Sequence, residues 1–400
     1  MMLEIYRYLK HINVFALLLS LIVMHYCIGA IRVLPNVVLV GAYVFAFLLI
    51  IRKPIEAIEL KWVYFLFFLP ITILLGRPDP IFKPWSRLML FSVLFLLCSP
   101  IIQSEYARKF RKDALFISIT ISIILTIGSF LAYFLGINFC TISREYVTDY
   151  VGVAGHFSGL TRQSMILGPL SGISSIVFFY LYFKTNKIIH LLFLITSIGC
   201  VLFASSRIAF LATIVGCVIV LYYFVENKYR FFKYLFSITI LIVITFPLWE
   251  SATTALQKKQ KMHAGKELFD SRTKKYEARI DEFSSSPIWG VGFASINPQG
   301  KDKFNKRTGT IEPGSSWLAV LSMTGIVGFV MFSTLYYKSA KISINNQTSY
   351  LVGLLGFYSV HMIAEGYVFA GGNPNCFLLW LIIGVSVDMN YEPKNEEYEF

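Results

Sequence analysis

Apolar residues along this chain fall mostly in runs of about 17–25, the length a helix needs to cross roughly 30 Å of hydrocarbon. The runs lie near 12–31, 33–51, 62–76, 87–103, 113–137, 162–183, 188–204, 207–225, 231–249, 315–337, 349–370 and 375–389. They predict an all-α, polytopic membrane helical bundle with about twelve transmembrane helices, a single transmembrane domain over 1–400. The third run is short and holds Pro70, so a kinked or tilted helix is expected there. The first, Ile12 to Ile31, has no small-residue cleavage site and reads as a retained span.

Composition excludes a soluble reading. Hydrophobic residues make up 56% and charged residues 15%, against roughly 45–50% and about 25% in soluble domains. The formal charge of +13 resides mostly in short connections between apolar runs, which argues for membrane orientation and against nucleic-acid binding. With the amino terminus in the cytoplasm, the inner connections hold more than twice as many Lys and Arg as the short outer ones, and 103-QSEYARKFRKD-113 is the strongest anchor. Both termini are therefore expected to be cytoplasmic. The six cysteines lie in or near apolar runs without metal-ligand spacing and read as small buried hydrophobes. His and acidic residues are never grouped at ligand spacing, so no metal is expected.

This orientation leaves two sizeable outer loops, 138–161 and 250–314. Within the longer one, 265-GKELFDSRTKKYEARIDEF-283 has helical periodicity: Phe269, Tyr276, Ile280 and Phe283 form one stripe, with Arg272 and Arg279 along its edge. An amphipathic helix lying over the membrane surface or the bundle mouth is expected. The turn residues of 287-PIWGVGF-293 and 312-EPGSS-316 bring the chain back to the bilayer.

Four stretches carry a likeness to a known superfamily: 155-GHFSGLTRQSMILGPLSG-172, 203-FASSRIAFLATIVG-216, 271-SRTKKYEARIDEFSSSPIWGVGF-293 and 312-EPGSSWLAVLSMTGIVG-328. Taken in order, on one shared side, they resemble the O-antigen ligase and Wzy-type O-antigen polymerase superfamily over about residues 110–390. The resemblance implies transfer of a glycan from an undecaprenyl diphosphate carrier to an acceptor hydroxyl, at the outer face of the bacterial cytoplasmic (inner) membrane. It implies a reaction without metal or cofactor. It also implies undecaprenyl-diphosphate-linked oligosaccharide, membrane lipid and a chain-length regulator protein as partners.

Such chemistry needs cations where a diphosphate departs and a base beside the acceptor hydroxyl. Arginine suits the first task because its charged fork binds phosphate oxygens bidentately. Arg207 opens an apolar helix, where a charge is costly without a task; the alternative is an interface anchor. Arg272 matches the superfamily's loop arginine, and Arg279 lies further along the same helix; the alternative for both is a solvated charge. Arg162, at the start of the sixth span, supports the substrate or anchors a helix end. The position of the ligase subgroup's histidine is Gly314, so a His-based mechanism does not carry over, and Glu312 is the nearest carboxylate. That departure favours polymerase over ligase. His361 and Glu365, four residues apart in the eleventh span, would share one helical face; they either bind substrate or satisfy each other. Glu365 is the second candidate base. Trp289 and Trp317 are candidates for stacking on sugars, while His156 reads as a surface residue of the 138–161 loop. The rival of another class is a flippase for the same lipid-linked units, which about twelve helices would suit, although the two halves show no matching interruptions.

Overall fold

The computed structural model describes residues 12–139, 157–225, 227–237, 270–300, 304, 309 and 311–391. Helix α1 spans Val14–Met24, α2 Asn36–Ile51, α3 Leu60–Gly76, α4 Pro84–Cys98, α5 Glu105–Phe134, α6 Ser164–Thr185, α7 Ile188–Phe203 and α8 Arg207–Phe224. The loop helix α9 spans Asp270–Ser285, followed by α10 (Ser316–Asn345), α11 (Ser349–Ala364) and α12 (Pro374–Asp388). Every expected span thus coincides with a described helix except the ninth, 231–249, which is described only to residue 237 and is helical from 228. Several helix starts carry short polar side chains. Asn13, Ser104, Ser206, Ser315 and Asn373 each accept a hydrogen bond from a first-turn backbone N–H, a donor that lipid cannot satisfy. Five stretches (Pro80–Cys98, α5, α6, α8 and α10) are long and apolar enough to cross a membrane, and shorter apolar helices of 10–17 residues accompany them.

Helix α12 is buried along its whole length, as expected of a helix that is apolar all round. Trp380 at its middle collects Phe95 at 4.7 Å between ring centroids, Phe91 at 5.8 Å, Phe332 at 5.9 Å and Trp62 at 6.3 Å, mostly edge to face. Helices α8 and α11 run antiparallel in close contact, because Gly216 and Gly353 leave room for each other's backbone. At one end of the bundle a two-residue pairing of β1 (Ala57–Ile58) with β2 (Ile102–Gln103) closes the connections. There Arg111 binds Asp388 through two 2.7 Å bonds and so fixes the end of α12. The opposite end, where α11 stops and α8, α10 and α12 start, is the mouth.

The two glycine-rich motifs of the sequence form one unit at the mouth. Helix α10 is interrupted at Gly325, whose φ of 64° and ψ of −170° are open essentially to glycine alone. The segment 287–293 fits into that gap: Val291 N donates to Ser322 O at 2.9 Å, Gly292 N to Met323 O at 3.1 Å, and Ile326 N to Pro287 O at 2.8 Å. An interrupted helix is tolerated at this depth because protein backbone satisfies the freed groups. Gly290, at φ 74°, lies against the backbone of residues 323–325, and Gly325 lies against Ile288 and Trp289, so a Cβ on either would meet main chain. Gly325→Ala is expected to cost at least about 1–3 kcal/mol. Thermal unfolding of the purified variant in detergent should give a lower Tm than wild type; an equal Tm would contradict this packing.

Candidate functional site

Helix α9 lies against α10 at the mouth, with part of the expected apolar stripe and its basic edge inward. Ile280 of the expected apolar stripe is exposed, whereas Ala278, Arg279 and Glu282 are buried and Arg272 and Lys275 are half-buried. The docked face is therefore Arg272, Lys275, Tyr276, Arg279 and Glu282, spaced as one helical side. The reason is what the bundle offers there: the backbone carbonyls of Gly314 and Ile363 and the carboxylates of Glu312 and Glu365. These acceptors recruit donors rather than methyl groups. Tyr276 Oη donates to Ile363 O at 2.8 Å and pins the middle of α9 to the end of α11. Residues 265–269 of the expected helix lie outside the described residues.

Arg272 is the centre of this contact. Its Nη2 donates to Glu365 Oε1 at 2.7 Å and its Nη1 to Gly314 O at 3.1 Å. Glu365 is 17% exposed and sits just past the end of α11. Burial raises its carboxyl above the usual carboxylate range, and the Arg272 guanidinium opposes that rise. Glu312, by contrast, is 65% exposed and paired with Lys275 Nζ at 2.7 Å. Of the two candidate bases, only Glu365 is withdrawn from water.

His361 and Glu365 do not share a helical face as their spacing suggested. Helix α11 ends at Ala364, and Glu365 is extended at φ −134°, ψ 134°. Its carbonyl accepts from Ser316 N at 2.9 Å and from Ser316 Oγ at 2.6 Å, so the first turn of α10 pulls the chain out of the helix. The same Oγ accepts from Tyr367 N at 3.0 Å. His361 is buried, stacks on Phe357 and pairs through Nδ1 with Tyr367 Oη at 2.9 Å. It braces the 365–373 loop.

The other candidate arginines lie at the same end of the bundle. Arg207 is exposed in the first turn of α8 and has no hydrogen-bond or ion-pair partner among the described residues. Gly168 lies on Ser206, Gly172 on Phe357 and Gly353 on Ile176, a register that brings Arg207 level with the last turn of α11. Arg162 donates through Nε to Tyr26 O at 2.9 Å and through Nη2 to Ile31 O, and lies over the Tyr26 ring, tying α6 to the loop after α1. Arg279 pairs with Glu282 at 2.9 Å beneath α9, and Glu282 also accepts from Asn297 N at 2.9 Å. Trp317 belongs to the core: its Nε1 donates to Ser359 O and its ring packs on Phe332 and Tyr336. Trp289 stays exposed. His156 lies outside the described residues.

A cleft of about 390 Å³ opens beside the pair, between Arg87 and Leu90 of α4, Ala319 and Met323 of α10, and the 366–373 loop. Pro313 and Gly366, the neighbours of Gly314 and Glu365, form part of its wall. Its size falls in the usual small-molecule range. Arg87, which no motif in the sequence singles out, donates to Ala294 O at 3.2 Å and Gly309 O at 2.6 Å. Lys275 was missed as well, although its spacing from Arg272 places it on the same side of α9.

Comparison with known proteins supplies a class. Residues 191–333 match the Wzy_C family model, described as O-antigen ligase. The match is consistent with an O-antigen ligase/Wzy-type superfamily, the likeness that the four motifs carry. It covers α7 to the first part of α10, including Arg207, Arg272, Arg279 and Glu312, and stops short of Glu365. Together with the apolar helices it supports a multi-pass membrane enzyme of the O-antigen ligase or polymerase kind, acting on glycans. A search of curated proteins found no match.

Proposed function

We propose that the protein is a polysaccharide polymerase that joins undecaprenyl-diphosphate-linked oligosaccharide repeat units at the outer face of the cytoplasmic membrane. In this reading about twelve helices cross the membrane and both termini are cytoplasmic. The observation that carries it is the Arg272–Glu365 pair: a guanidinium fork, suited to phosphate oxygens, and a half-buried carboxylate, 2.7 Å apart, beside a cleft at the mouth. The acceptor hydroxyl oxygen bonds to the anomeric carbon of the growing chain, and the bond from that carbon to the diphosphate oxygen breaks. The proton passes to Glu365, and the diphosphate leaves with the electron pair, its charge met by Arg272. Arg207 adds a second cation at the same level. Arg162, Arg279, His361 and the Lys275–Glu312 pair hold the surrounding loops in place.

The description of the matched family model favours a second reading, ligation of finished polymer to another acceptor. Lipid-linked and finished glycans from a deletion strain separate the two. Loss of a polymerase leaves single repeat units on the final acceptor. Loss of a ligase leaves long polymer on the carrier, and unchanged glycans would exclude both.

A further inference from the structure

The guanidinium that this reading aims at the carrier diphosphate is already occupied. One arm of the Arg272 fork donates to a backbone carbonyl and the other to the Glu365 carboxylate. An incoming phosphate oxygen seeks the same Nη edge, and two anions on one edge repel each other. Among the described residues, Arg272 is the only group that donates a hydrogen bond to the Glu365 side chain. The other ionisable groups around it are engaged elsewhere. Lys275 and Glu312 pair with each other, Tyr276 donates to Ile363 O, and His361 and Tyr367 share a bond. A Glu365 that loses Arg272 therefore has the lone pairs of its carboxyl free at the mouth, which a general base requires.

We infer that the carrier diphosphate exchanges with Glu365 on Arg272, so that the base is released only when the donor is seated. The inference rests on the reading of Arg272 as the diphosphate anchor. The resting pair keeps the carboxylate bound while the site is empty, and the donor's own charge unlocks it. Once Arg272 turns to phosphate, the largest influence that lowers the Glu365 carboxyl is lost, Lys275 keeps a smaller one, burial still raises it, and the carboxylate becomes a stronger base.

Equilibrium binding of a short-chain prenyl diphospho-N-acetylglucosamine to the full-length protein in detergent tests the exchange. This diester carries no monoester phosphate that titrates near about pH 6. Glu365→Gln removes the competing charge and is expected to bind the probe about tenfold more tightly than wild type, the effect of one charge-assisted hydrogen bond. Wild-type affinity should rise as pH falls and Glu365 takes up a proton, whereas the Gln variant should lack that component; protonation of Glu312 would affect both proteins alike. Equal or weaker binding by Glu365→Gln, with no pH difference from wild type, would overturn the exchange. The wild-type titration is an independent reading should the variant fold poorly. Arg272→Ala separates the two levels. Weak probe binding there, with no gain in Glu365→Gln, sinks the exchange alone; wild-type binding there sinks the anchor role itself.

Discussion

Replacing Arg272 with alanine should lower polymer synthesis about 100- to 1,000-fold, the usual cost of removing one preorganised donor from a developing anion. The measurement is the length and amount of surface glycan in cells carrying the variant at wild-type protein level. Arg272→Lys should recover little. A lysine keeps the charge but cannot hold Gly314 O with one arm and a second acceptor with the other, as the fork does at 3.1 and 2.7 Å. Full-length glycan in normal amount from Arg272→Ala would remove this residue from the chemistry.

Glu365→Gln should have an effect of similar size, about 100- to 10,000-fold, because the amide keeps the shape and cannot take a proton. Its exposed neighbour provides the contrast. Glu312→Gln loses only the pair with Lys275 and should leave most activity in place. The pH dependence has a definite sign. Burial, more than any other influence, holds the Glu365 carboxyl above the ordinary carboxylate range, so the base keeps its proton to higher pH than an ordinary carboxyl does. Wild-type turnover should therefore climb as pH rises through that raised range and then level off. A profile that levels off within the ordinary carboxylate range would contradict a raised base. Defects reversed between the two glutamates would point to Glu312 instead.

The bundle was legible because lipid leaves few choices: a backbone inside it must satisfy itself, so runs of apolar residues between polar connections mark helices closely. The loop helix was legible as a helix for its periodicity, and Tyr276 of its stripe docks, but together with the basic edge rather than with Ile280, which is exposed. A ranking by apolarity does not see that the partner surface consists of the Gly314 and Ile363 carbonyls and two carboxylates. Arg272 stood out through its motif, while the place of Glu365 depended on a tertiary event: Ser316, almost fifty residues earlier, captures its carbonyl and ends α11. No periodicity within 349–370 reports that bond. Gly290 and Gly325 were visible only as turn and motif residues. That they are glycines for the same reason, two main chains in contact inside a broken helix, requires the packed structure. Arg87 was hidden for a similar reason, since its acceptors lie more than two hundred residues away.

The central claim is that Arg272 and Glu365 together transfer glycan between carrier-linked units, and reconstitution tests it most directly. Purified protein is supplied with undecaprenyl-diphosphate-linked repeat units alone, and its products are resolved by size. The account predicts a ladder of lengthened carrier-linked glycans from wild type, with free carrier diphosphate released for each linkage made. It predicts no ladder from folded Arg272→Ala or Glu365→Gln protein. A full ladder from either variant, or unlengthened units with folded wild type, would contradict it.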